Sequence, residues 1–119
     1  MNLEKTPTKI KKIIELFHQN KLSFILFKCE HIFAGKNKNL DVLFETKKDY
    51  NLASLILEKK GFVLYLSEKV EKYKRMYVRF SNEEYTRIHL HREISWHGLK
   101  VINKKDVFNN TQKKDEPYK

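Results

Sequence analysis

The chain has 119 residues, 40% hydrophobic and 34% charged, which is enough apolar material for one buried core and too little length for a second. One cysteine excludes a disulfide framework and a four-cysteine zinc site, and three glycines exclude the dinucleotide-binding and phosphate-loop fingerprints. A net charge of +10 is compatible with a polyanionic partner, but the excess is shared equally by the two halves of the chain and Lys far outnumbers Arg.

Thr6-Pro7 reads as a helix start, and Ile10, Ile13, Ile14 and Phe17 form one apolar stripe that ends at Gln19-Asn20. Leu22 to Lys28 follows as an almost wholly apolar strand, which predicts burial on both faces and a central place in the sheet. Its core, Phe24 to Phe27, is far too short to cross a bilayer or form a signal-peptide core, so a cytoplasmic location without membrane contact is expected. Cys29 to Lys38 is polar and irregular around Gly35, and Leu40 to Phe44 is a second apolar strand interrupted by Asp41. Thr46 and Asp49 resemble a capping box for a second helix. Leu52, Leu55 and Ile56 are its expected buried stripe, and Lys59-Lys60-Gly61 its C-terminal end.

Phe62 to Leu66 is a third strand. Two alternating segments come next, Tyr73 to Phe80 with Met76, Val78 and Phe80 on one face, and Tyr85 to His91 with Ile88 and Leu90 on one face. The turn-rich link Ser81 to Glu84 joins them as a hairpin. Trp96 reads as a core anchor, and a short helix is expected near Lys104 to Phe108. Residues 109–119 read as a mobile polar tail, which leaves residues 1–108 as a single domain.

Asp41 stands between Leu40 and Val42, where an isolated carboxylate costs several kcal/mol unless it reaches water, a cation or a donor. That requirement points to a strand-end site in a cleft. His89 and His91 are two apart on a strand and share the face opposite Ile88 and Leu90. With Asp41 across the sheet and His31 or His97 arriving from loops they could bind a transition metal, or they could be two hydrogen-bonded histidines on a half-exposed face. Cys29 beside His31 is either a nucleophile or a structural thiol. Tyr73, Tyr77, Tyr85 and Arg79 either stack bases or pack the hairpin.

The order helix, strand, loop, strand, helix, strand, hairpin resembles the nucleotidyltransferase superfamily. Ile25-Leu26-Phe27-Lys28 is similar to its first core strand, and Asn39-Leu40-Asp41-Val42-Leu43-Phe44 to its Asp-x-Asp strand. Asp49 to Phe62, ending in Leu57-Glu58-Lys59-Lys60-Gly61-Phe62, is similar to the helix and Gly-Phe junction that follow, and Ile88-His89-Leu90-His91 to the strand carrying a third carboxylate. Ser95-Trp96-His97-Gly98 resembles a segment just after it in small relatives. The resemblance implies an α+β fold, a mixed sheet packed against two or three helices. It also implies transfer of a nucleoside monophosphate from a nucleoside triphosphate to an acceptor hydroxyl, assisted by Mg²⁺ or Mn²⁺.

In that chemistry three carboxylates hold two cations about 4 Å apart. Here Asn39 and His89 stand at two of the three catalytic positions and Asp41 at the other, so transfer is expected to be weakened or lost. The implied metal ligands are Asp41, His89 and His91, and Lys28 or Lys36 would lie near phosphate. The alternative is a non-catalytic basic module that binds nucleotide or RNA or forms a complex. A homodimer or a helical partner protein would close the cleft. Evenly spread charge predicts weak, salt-sensitive RNA binding, to which separated lysines such as Lys12 and Lys104 contribute alike.

Overall fold

The computed structural model describes residues 8–27, 39–81, 84–96 and 99–112. Ile10, Ile13, Ile14 and Phe17 lie buried along one side of helix α1 (Thr8–Gln19), while Lys11, Lys12 and Glu15 are exposed on the other. The Thr6-Pro7 start falls outside the described residues. At its end the Lys21 N–H donates to the His18 carbonyl at 2.9 Å and the Leu22 N–H to the Phe17 carbonyl at 3.0 Å, a Schellman turn. That turn holds Lys21 at φ 59°, in the left-handed region where a Cβ is strained. Lys21→Gly is therefore expected to raise stability by about 0.5–1 kcal/mol in urea unfolding, the relief of strain outweighing the entropy glycine adds to the unfolded chain. A lower unfolding midpoint would contradict strain at this turn.

Helix α2 (Lys47–Lys59) starts as the sequence predicts, with the Asp49 N–H donating to Thr46 Oγ1 at 3.1 Å. The second half of the capping box is diverted: Asp49 Oδ2 instead accepts from the Ser23 N–H at 2.9 Å, tying the helix start to the segment after α1. At the other end Gly61 has φ 87°. Its N–H donates to the Glu58 carbonyl at 3.1 Å and the Phe62 N–H to the Leu57 carbonyl at 3.0 Å, the same turn as before but with the residue its φ favours.

The buried stripe of α2 differs from expectation. Tyr50, Ala53, Ser54 and Leu57 face inward, Leu52 and Leu55 are exposed, and Ile56 is partly buried. Polar anchors set this rotation. The Tyr50 hydroxyl donates to Glu68 at 2.8 Å, and Arg75 Nη1 donates to Ser54 Oγ at 2.8 Å, so the inward residues bring their own partners.

Five strands form a mixed sheet: β1 (Phe24–Phe27), β2 (Asn39–Phe44), β3 (Val63–Leu66), β4 (Lys74–Ser81) and β5 (Glu84–His91). Their order is β1-β2-β5-β4-β3, with β2 and β5 parallel and the other neighbours antiparallel. The fold class is α+β, as expected. However, β1 is an edge strand of this sheet and β5 is its centre. β1 is nearly all apolar because helices cover both of its faces at the edge. Phe24 and Leu26 pack with α1 and α2, and Ile25 and Phe27 pack with Phe108 and Val107 on the other side.

Strand parity in the hairpin is also as read: Met76 and Val78 are buried on one face, and from the other Tyr77 enters the main core. It is buried with its hydroxyl donating to Glu58 at 2.8 Å, while Phe80 on the opposite face is 79% exposed.

After β5, β6 (Ile94–Trp96) and β7 (Leu99–Ile102) pair as a separate antiparallel ribbon, and α3 (Lys104–Gln112) follows. The third helix passes Phe108 and makes 109–112 helical; the rest of the expected tail, and the Trp96 side chain, are outside what is described. Phe108 is buried against Ile25 and Leu43 and docks α3 on the sheet. Lys104 Nζ fastens its start, donating to the Arg92 carbonyl at 2.7 Å beside Glu93 at 3.6 Å. Among the described residues no helix is long and apolar enough to cross a membrane.

Candidate metal centre

Parallel pairing of β2 with β5 sets Asn39 opposite Arg87, Asp41 opposite His89 and Leu43 opposite His91. Because side chains alternate, Leu40, Val42, Ile88 and Leu90 enter the core under α1 and α2, and Asn39, Asp41, His89 and His91 share the other face. One ligand atom each from Asp41, His89 and His91 lies within 4.8 Å of the others. His91 Nε2 and Asp41 Oδ1 are 2.9 Å apart, with only 10% and 17% of their side chains exposed. Here Asp41 finds the donor that its place between two apolar residues demands. The Phe27 ring packs edge-on against His91 with centroids 4.7 Å apart, and the two imidazoles are stacked at 6.3 Å.

His89 is the unusual member. Its Nδ1 is buried and has no hydrogen-bond partner among the described residues. Burial pushes its imidazole down to about 4, against the opposing pull of the Asp41 carboxylate. The ring is thus neutral at neutral pH, the form in which a histidine can ligate a metal.

The same shift predicts a pH dependence. An unfolded chain takes up this proton near pH 6.5, whereas the folded chain does so only near 4, so the stability it contributes is complete above pH 6.5 and is lost as pH falls towards 4. After discounting for the exposed part of the ring, the loss is on the order of 1–2 kcal/mol. His89→Asn should flatten the slope of urea midpoints between pH 7 and 4.5 by that amount relative to the natural chain. Parallel slopes would contradict the burial of a neutral imidazole.

Two imidazoles and one carboxylate suit Zn²⁺, Fe²⁺ or Mn²⁺ and leave positions open for water or a ligand. They suit Mg²⁺ poorly, since it favours an octahedron of oxygens.

Asn39 lies on the same face as the cluster and is engaged by Arg87. Arg87 Nε donates to Asn39 Oδ1 at 3.0 Å, and Arg87 Nη2 reaches the Tyr85 hydroxyl at 3.1 Å with its guanidinium over that ring. A cation therefore stands where the resemblance implies a carboxylate and its metal. A carboxylate restored at position 39 would meet Arg87 first. Nothing in the sequence marks Arg87 except its parity with His89.

Lys28, Lys36, Cys29, His31 and His97 fall outside the described residues. The hairpin aromatics do not make one surface: Tyr77 is core, Arg79 lies on the helix side, and Tyr85 is on the side of the histidines. Beside Arg87 on that side, Tyr65, Met76, Val78, Phe80 and Tyr85 line an apolar depression of about 220 Å³. Comparison of the chain with protein-family models, with curated proteins and with solved structures finds no match.

Proposed function

We propose that the chain is a nucleotidyltransferase-like protein that holds one divalent transition-metal ion at Asp41, His89 and His91 and binds a nucleoside triphosphate beside it. The observation that carries this reading is the convergence of those three side chains from two adjacent parallel strands, with one imidazole nitrogen buried and without a hydrogen-bond partner among the described residues. When bound, the metal supplies positive charge to phosphate oxygens. The protein's own residues do the rest. Asp41 offsets the cation's charge, and His89 is already neutral. His91 Nε2 lies 2.9 Å from Asp41 Oδ1, close enough for the two to share one ion. Arg87 offers a second positive group, and the depression bounded by Phe80 and Tyr85 offers an apolar surface for the base.

A specific observation favours the binding form of this reading over an efficient transferase. Arg87 occupies Asn39, and its fixed charge opposes a second metal ion beside the first.

Calorimetry of nucleoside triphosphates with Mn²⁺, Zn²⁺, Mg²⁺ or chelator tests both parts. Binding is expected with Mn²⁺ or Zn²⁺ and should be at least tenfold weaker with Mg²⁺ or with Asp41→Asn. Rapid Mg²⁺-dependent transfer by the natural sequence, abolished by Asp41→Asn, would replace this reading with that of an active two-metal enzyme.

A further inference from the structure

On the opposite side of the sheet, α1 and the C-terminal end of α2 enclose an open groove of about 620 Å³. Its walls carry Lys9 and Lys12 from α1, Lys59 and Lys60 from the end of α2, and Arg79 from β4, against one carboxylate, Glu15. Among the described residues no acid lies within ion-pair distance of any of these five cations. Three cations away from the groove are engaged, Lys74 with Glu71 at 3.5 Å, Arg75 with Glu68 and Lys104 with Glu93, while others such as Lys48 and Lys69 stand singly on the surface. Charge that looks evenly spread along the sequence thus includes five cations, from three elements, that topology gathers at one groove.

We propose that this groove binds the phosphate backbone of a single-stranded nucleic acid. Five cations on three elements track a chain of charges better than a single phosphate, which needs donors converging on one point. The α2 end that lines the groove presents capped carbonyls, unsuited to cradling one anion. Its apolar floor is Ile13, Leu16 and Phe62, and Phe62 is buried with no exposed face to stack a base. Lysines with little stacking read charge and not sequence. Cations on both walls of a concave groove suit one flexible strand better than the convex surface of a duplex.

The test is fluorescence anisotropy with a labelled oligouridine of about 15 nucleotides, the upper range of such sites, in chelator so that no metal takes part. At low salt the natural chain should bind, and Lys12→Glu/Lys60→Glu should weaken binding at least tenfold with a shallower salt dependence. Lys48→Glu/Lys69→Glu, the same charge change at exposed positions outside the groove, should weaken it about twofold or less. The milder Lys12→Gln/Lys60→Gln should fall between them, and unchanged circular dichroism should show that each variant is folded. Equal weakening by the two reversed pairs would overturn the proposal in favour of diffuse charge, as would failure of the natural chain to bind. A matched duplex that binds more tightly, or a polyglutamate of equal charge that displaces the strand equally well, would overturn the assignment to a single strand.

Discussion

Phe44→Ala should destabilise the protein by about 3–5 kcal/mol, a fifth or more of the roughly 5–15 kcal/mol stability of an ordinary domain. Phe44 is fully buried at the end of β2, and its ring lies 5.6 Å from Phe17, 6.3 Å from Phe24 and 6.3 Å from Tyr50. One side chain thus joins α1, β1 and α2. A neighbourhood of rings held by three elements cannot collapse into the space left behind, so both the transfer and the cavity contributions are lost. The expected readout is a lower urea midpoint with an unchanged slope. Phe80→Ala, on an exposed ring, should move stability by less than about 0.5 kcal/mol. Similar losses from the two substitutions would contradict the core described here.

The second large effect is ligand-linked. Zinc at about one hundred times its dissociation constant should stabilise the fold by about 2.7 kcal/mol, which for a domain of this size raises the melting temperature by roughly 10 °C. His89→Ala and His91→Ala should abolish the shift while remaining folded without metal, because both side chains lie on the face away from the main core. An equal shift in natural chain and variants would mean that zinc is held elsewhere.

The sequence announces these elements unevenly. Helix ends are legible where local chemistry decides them, as at Thr46 and Gly61, because a cap needs only its nearest neighbours. The face of α2 is not. Its apolar Leu52 and Leu55 lose to Tyr50 and Ser54, whose partners Glu68 and Arg75 are supplied from later in the chain. β1 reads as central because two-sided burial looks the same whether strands or helices supply it. Phe108, far away in sequence, covers the second face.

For the candidate site, alternation places Asp41, His89 and His91 on one face as soon as β2 and β5 are taken as neighbours. What alternation cannot give is the register. Asn39 lies opposite Arg87, and this pairing makes the residue at an expected catalytic position a hydrogen-bond acceptor. The charge groove was hidden for a similar reason. Lys12 and Lys104 look equivalent along the chain, yet Lys104 is spent on Arg92 and Glu93 while Lys12 opens onto the groove.

Titration of the chelated protein with Co²⁺, followed in the visible spectrum, tests the metal centre most directly. One equivalent should produce a d–d band from nitrogen and oxygen ligands. His89→Ala, His91→Ala and Asp41→Asn should each weaken uptake at least tenfold, and Zn²⁺ should displace the band where equimolar Mg²⁺ does not. A spectrum unchanged by all three substitutions, or no band at any Co²⁺ concentration, would contradict a metal site at Asp41, His89 and His91.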